Sequence, residues 1–300
     1  MTRESAMPNL FIVGAPKCGT TAWVSYLSDH PDVFFATPKE PHYFCEDFPK
    51  LRYARTPGEY AAFFEGADGE SVVGEASVRY LMSGVAARNI AAFAPDAKIL
   101  IFLRARGAFL HSYHNQLVLN ADEDVADFAT AWKLAAGDAP RRVSPHLPEP
   151  KVLDYLAAAR FAPQIRRYLD AFPARQVRVV HFEDWTRDPR ATYLALMEFL
   201  DLEDDGRTAF AKVHTAKHDR FPALNQFLRH PPAPVRAGAR LLKRVAGRDS
   251  LGVAERVRKL NRDAGHATPA DPELLAEIDA LFADDVAEVN RMVAEYGLSL

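Results

Sequence analysis

The chain has 300 residues, 48% hydrophobic and 26% charged, which supplies a large core and excludes a disordered or low-complexity chain. Lysine and arginine total 37 against 40 acidic residues, a formal charge of −3, so a strongly basic nucleic-acid binder is excluded while a local basic cleft is not. The two cysteines, Cys18 and Cys45, form neither a disulfide framework nor a metal-binding spacing, and a reduced, cytoplasmic protein is expected.

The first apolar run, Leu10 to Val13, is too short for a signal segment, and no stretch approaches the roughly 18–20 residues that span a bilayer. Leu10–Val13 instead reads as a buried strand, followed by a helix over Thr20–Ser28 that ends near His30-Pro31. Ser71–Gly74 is a second strand, and Ser83 caps a predicted helix running to Phe93. Lys98–Leu103 is the clearest buried strand, and a long helix begins near Gly107. Val177–Phe182 reads as a strand and Pro189–Leu200 as a helix, with a terminal helix over Glu273–Tyr296. Short apolar runs alternating with helices predict an α/β protein. Its central sheet is mostly parallel and flanked by helices, in a P-loop-like three-layer fold with a helical C-terminal part. One domain is expected over residues 1–300, with 137–150 an ordered surface loop or lid and 205–300 mainly helical.

Three motifs carry chemistry. Gly14-Ala-Pro-Lys17-Cys18-Gly19-Thr20-Thr21 leaves a strand and opens a helix, the arrangement in which loop amides and a helix N-terminus surround an anion. A Walker loop would place Lys after the second Gly, but Thr20 stands there and the lysine lies inside the loop as Lys17. Arg104 follows the strongest strand, where open α/β sheets bind ligands, and Ser112 comes eight residues later. Lys39-Glu40-Pro41-His42-Tyr43-Phe44 brings two titratable groups together and reads either as a general-base segment or as a surface ion pair.

Together these motifs resemble the sulfotransferases that use 3′-phosphoadenosine 5′-phosphosulfate (PAPS), most nearly the heparan-sulfate-type N- and 3-O-sulfotransferases of glycans. The resemblance runs from about Asn9 to Leu202. It implies that Lys17, Cys18, Gly19, Thr20 and Thr21 form the 5′-phosphosulfate loop and that Arg104 and Ser112 hold the 3′-phosphate. Glu40 is the implied base, with His42 orienting it or serving as a second base. Phe182 walls the adenine or is a core residue, and Arg262 reads as a phosphate contact or a solvated charge. Glu75 and Arg79 would line the acceptor side. Some positions depart from the family pattern. Ala76 stands where a lysine is common, Ala105-Arg106 where Asn/Asp-Pro is common, Phe109 in place of an Arg and Cys45 in place of an Asp.

The implied reaction is in-line sulfuryl transfer to a hydroxyl or amine of a carbohydrate or other small acceptor. It is dominated by positioning and electrostatics and needs no metal. The competing readings are a P-loop kinase or NTPase with a degenerate loop, and a nucleotide-binding module without chemistry. The presence of both Lys17 and Glu40 argues against the latter.

Overall fold

A computed structural model describes residues 7–137, 147, 149–211, 218–219, 262–263 and 269–300. Most of the 137–150 loop, including Arg141 and Arg142, lies outside the described residues, as do Lys217, Arg220, Pro231–Pro234, Lys259 and His266. The chain divides into two compact units, one of Met1–Phe109, Leu156–Val213 and Leu275–Leu300, the other of Leu110–Tyr155 and His214–Leu274.

The first unit holds a five-stranded sheet of β1 (Leu10–Gly14), β2 (Val33–Phe35), β3 (Val72–Ala76), β4 (Lys98–Leu103) and β5 (Val177–His181). The order is β2-β3-β1-β4-β5 and every pairing is parallel. β1 lies between β3 and β4, and its sequence LFIVG is buried throughout because neighbours and helices cover both faces. Parallel pairing puts all five C-terminal ends at one edge. The loop after β1, the turn after β3, Arg104 after β4 and Phe182 after β5 therefore leave the sheet together.

Helix α1 (Thr20–Ser28) has its expected bounds. It is followed in this unit by α2 (Pro57–Ala61) and α3 (Ala86–Phe93). α3 starts later than the Ser83 reading because the Ser83 hydroxyl accepts from the amides of Val85 and Ala86 in a preceding turn. α4 (Arg106–Asn120) begins in the first unit, and α5 (Phe128–Ala136) lies in the second, where Asp127 caps it by accepting from the Thr130 amide. α6 (Tyr155–Ala159) and α7 (Phe161–Ala171) precede β5. The strand predicted to reach Phe182 ends at His181, and Phe182 opens α8 (Phe182–Arg187). α9 (Pro189–Leu200) matches its expected span, started by Pro189 and by the Asp188 carboxylate on the Ala191 amide. The single terminal helix is two, α10 (Pro272–Leu281) and α11 (Ala283–Tyr296), broken at the buried Phe282. In the second unit β6 (His218–Asp219) pairs antiparallel with β7 (Arg262–Asp263).

Arg106 explains one departure from the family pattern. Its guanidinium is buried, 2.7 Å from Asp285 and stacked 4.3 Å from the Phe161 ring centroid. Asp285 also accepts from the Phe161 and Ala162 amides, so this arginine ties the starts of α4 and α7 to α11. Among the described residues no helix is long and apolar enough to cross a membrane.

Candidate active site

The loop after β1 is anchored where the Ala15 amide donates to the Phe102 carbonyl of β4 at 2.7 Å. Gly19 ends the loop with φ 88° and caps α1. A side chain there would place Cβ 2.3 Å from Cζ2 of Trp185, so both backbone conformation and space demand glycine. No side chain caps α1 and its first turn holds no acidic residue, so its N-terminus keeps its attraction for an anion. Thr20 is buried and Thr21 half-buried at that terminus.

Lys17 lies inside the loop, half-buried, with φ 64°. Burial lowers its pKa below the lysine range, Arg104 lowers it further, and Cys18 and Glu40 offset part of the effect. An anion bound beside Lys17 and Arg104 would relieve both the desolvation and the repulsion. Cys18 is fully buried, its thiol directed at the Pro16 carbonyl, and burial pushes its pKa up, which leaves it an inert packing group.

Arg104 follows β4 directly. Its guanidinium carbon lies 4.3 Å from the centroid of the Phe182 ring, and its buried Nε has no partner among the described residues. Phe182 is thus half-buried and backs the arginine. The next amide, Ala105, donates to Glu183 at 3.2 Å. A cavity of ≈ 530 Å³ beside Arg104 is also lined by Arg106, His181, Glu183 and α11, but by neither Lys17 nor Glu40.

The third motif forms a turn in which Glu40 (φ 71°) and His42 (φ 52°) both take left-handed backbone. Lys39 Nζ lies 2.6 Å from one Glu40 oxygen and His42 Nε2 lies 3.4 Å from the other. Burial works to raise the Glu40 pKa, but the hydrogen bond from His42 and the charge of Lys39 prevail and hold it at about 2. His42 is buried, and its Nδ1 has no partner among the described residues.

Arg104 and Glu40 each act electrostatically on Lys17 within the first unit. Ser112 lies in the second turn of α4, half-buried, and belongs to the second unit. Arg262 falls in the two-residue strand β7. Glu75 and Arg79, expected on the acceptor side, lie in β3 and in the turn that follows it. Arg79 is half-buried in the turn after β3, with a guanidinium nitrogen 3.7 Å from Met82 sulfur. Glu75 has no exposed surface and accepts from the hydroxyls of Tyr60 (3.0 Å) and Tyr80 (2.9 Å). Burial raises its pKa to about 7, with hydrogen bonds from Ser77, Tyr80 and Tyr60 opposing.

The Lys39–Glu40 ion pair that the sequence offers as one reading of the third motif is formed here. One contributor escaped the sequence reading. Trp185, which packs against the loop after β1, carries no local signal because the glycine it faces is distant in sequence. Among the described residues no three His, Cys, Asp or Glu side chains cluster to hold a metal ion.

An uncapped helix N-terminus, a desolvated lysine and a part-unpaired arginine form a donor set suited to a ligand bearing two separate anionic groups. Residues 7–226 match the sulfotransferase domain family. Bifunctional heparan sulfate N-deacetylase/N-sulfotransferase 1 of Caenorhabditis briggsae is 24% identical over 67% of this chain and 23% of its own length. Human heparan sulfate glucosamine 3-O-sulfotransferase 6 is 25% identical over 73% of this chain and 57% of its own. The chain thus spans under two thirds of either curated relative. A sulfotransferase structure from Alicyclobacillus acidocaldarius superposes with TM-score 0.67 at 28% identity, covering 96% of both chains. The chain belongs to the sulfotransferase domain family.

Proposed function

We propose that the protein is a PAPS-dependent sulfotransferase acting on a hydroxyl or amine of a carbohydrate-like acceptor. The observation that carries this reading is Lys17, a lysine destabilised by burial and by Arg104, set beside an uncapped helix N-terminus and within reach of the Glu40 charge. PAPS supplies an activated sulfuryl group on a leaving group with a 5′- and a 3′-phosphate.

Lys17 offsets the negative charge that grows on the departing phosphate oxygen. Thr20, Thr21 and the α1 amides bind the 5′-phosphate. Arg104 binds the 3′-phosphate, its stacking on Phe182 fixing the plane of the fork. Glu40, ionised at neutral pH because its pKa is about 2, takes the acceptor proton. A carboxylate this acidic is a weak base, so the proton moves only once the acceptor oxygen is well bonded to sulfur and has become acidic itself. His42 and Lys39 hold the carboxylate in place until then.

Support for a carbohydrate acceptor comes from the heparan sulfate relatives and from Tyr53. Its ring is exposed and lies 6.4 Å from the His42 ring at an interplanar angle of 23°, offering an aromatic face next to the base. The test is transfer from ³⁵S-labelled PAPS to a panel of glycans and small hydroxyl compounds, in EDTA, with mass analysis of products. A labelled glycan is expected. Phosphate transfer from ATP that requires Mg²⁺, with no sulfuryl transfer, would overturn the reading in favour of a kinase.

A further inference from the structure

The turn that carries Glu40 and His42 needs support, because two non-glycine residues in left-handed backbone do not hold that conformation unaided. The support comes from below. The His42 amide donates to Ser77 Oγ at 3.0 Å, and the Phe44 amide donates to the Tyr80 hydroxyl oxygen at 3.3 Å. Ser77 and Tyr80 are both fully buried in the turn that follows β3.

Tyr80 has a single hydroxyl hydrogen, and it goes to Glu75 Oε2 at 2.9 Å. That bond fixes the rotation of the hydroxyl and turns a lone pair toward the Phe44 amide. The same Glu75 oxygen accepts from Tyr60 at 3.0 Å, and the Tyr60 ring stacks on Tyr43 at 4.5 Å and 16°. One buried carboxyl oxygen therefore orients two tyrosines, and these hold consecutive residues of the segment. A carboxyl group with no exposed surface is costly to bury, and with Glu75 Oε1 unpartnered among the described residues the bonds to Oε2 offset only part of that cost.

We propose that Glu75 is a positioning residue: through Tyr80 and Tyr60 it fixes Phe44 and Tyr43, the residues directly after His42, and thereby the geometry of the Glu40–His42 pair. This rests on the reading of Glu40 and His42 as the proton-handling groups.

The test uses Tyr80→Phe, which removes one oxygen and keeps the ring, together with Glu75→Leu and Glu75→Gln. Gln retains an oxygen that accepts both hydroxyls. Turnover with the best glycan of the panel should fall about 10–100-fold in Tyr80→Phe and Glu75→Leu, as expected when reacting groups shift by up to about 1 Å. Calorimetric affinity for adenosine 3′,5′-bisphosphate should stay within about twofold, because none of these side chains is assigned a donor contact. Glu75→Gln should recover turnover to within about threefold of the parent.

Unchanged kcat in Tyr80→Phe overturns the proposal even if Glu75→Leu does not fold. Equal losses in Glu75→Gln and Glu75→Leu overturn it as well, because the charge would then matter and not the oriented oxygen. Glu40→Gln is run alongside. If it keeps full turnover, the base assignment fails and takes the positioning role with it. If it loses turnover while Tyr80→Phe does not, the positioning role fails alone.

Discussion

Gly19→Ala tests the loop from Gly14 to Thr21 where its geometry is tightest. At φ 88° an alanine sits in left-handed backbone, which costs about 1–2 kcal/mol. The new methyl would also lie 2.3 Å from Trp185 Cζ2, well inside van der Waals contact. The indole is not free to swing aside, being wedged edge-on against Phe182 at 5.0 Å and Trp23 at 5.9 Å. Overpacking of this kind typically costs about 1–3 kcal/mol, so the total expected is about 2–5 kcal/mol. The two parts separate in a double-mutant cycle with Trp185→Ala, followed by denaturant unfolding monitored by far-UV circular dichroism. Removing the indole should relieve the clash and leave only the backbone cost of about 1–2 kcal/mol, a coupling of about 1–3 kcal/mol. Affinity for adenosine 3′,5′-bisphosphate should drop in Gly19→Ala and return in part in the double variant. If Gly19→Ala costs the same with and without Trp185, the loop does not rest on that indole and the argument for glycine reduces to φ alone.

Lys17→Ala should leave a folded protein whose turnover is down about 10²–10³, the loss of one preorganised charge contact worth about 2.7–4 kcal/mol. Near-normal turnover would remove Lys17 from the chemistry. In calorimetry Arg104→Ala should weaken adenosine 3′,5′-bisphosphate by about 1.5–3 kcal/mol and leave adenosine 5′-phosphosulfate, which lacks the 3′-phosphate, nearly untouched. Equal weakening of both would make Arg104 structural. Glu40→Gln should cut turnover by about 10²–10⁴ with little change in donor affinity, and His42→Ala should cost less; the reverse order would make His42 the base. The Glu75 carboxyl, raised by burial from its ordinary 4.5 to about 7, binds its proton more tightly folded than unfolded. Its contribution to stability is therefore full below about pH 4.5 and is lost as pH rises toward 7, at most about 3 kcal/mol. Burial drives the pKa values of the facing Tyr60 and Tyr80 hydroxyls and of the Cys45 thiol upward, away from that window, while the nearby Lys39 charge acts to lower that of Glu75. The downward slope of the melting temperature between pH 4.5 and 7 should flatten in Glu75→Gln, and an unchanged slope would place its origin elsewhere.

Much of this was legible in the residues themselves because its causes are local. β1 and β4 announce themselves as continuous apolar runs, since a strand covered on both faces has no polar side to show. α9 could be bounded at its start because Asp188 and Pro189 are capping residues acting within one turn. The strand–loop–helix around Gly14–Thr21 could be recognised because an apolar run, two glycines and a following helix start are all local signals. What depends on partners far along the chain could not be seen. β2 is only three residues long and exists as a strand because β3 pairs with it. Nothing local to Arg106 announces its partner Asp285, 179 residues further on. Glu75 could be read as an acceptor contact, yet the register that sets it opposite Phe11 carries its carboxylate into the interior, where the hydroxyls of Tyr60 and Tyr80 accompany its burial. Local sequence states which conformations a segment can take. Which side chains meet, and so which charges are desolvated or held ionised, is decided when the sheet closes and fixes the distances between them.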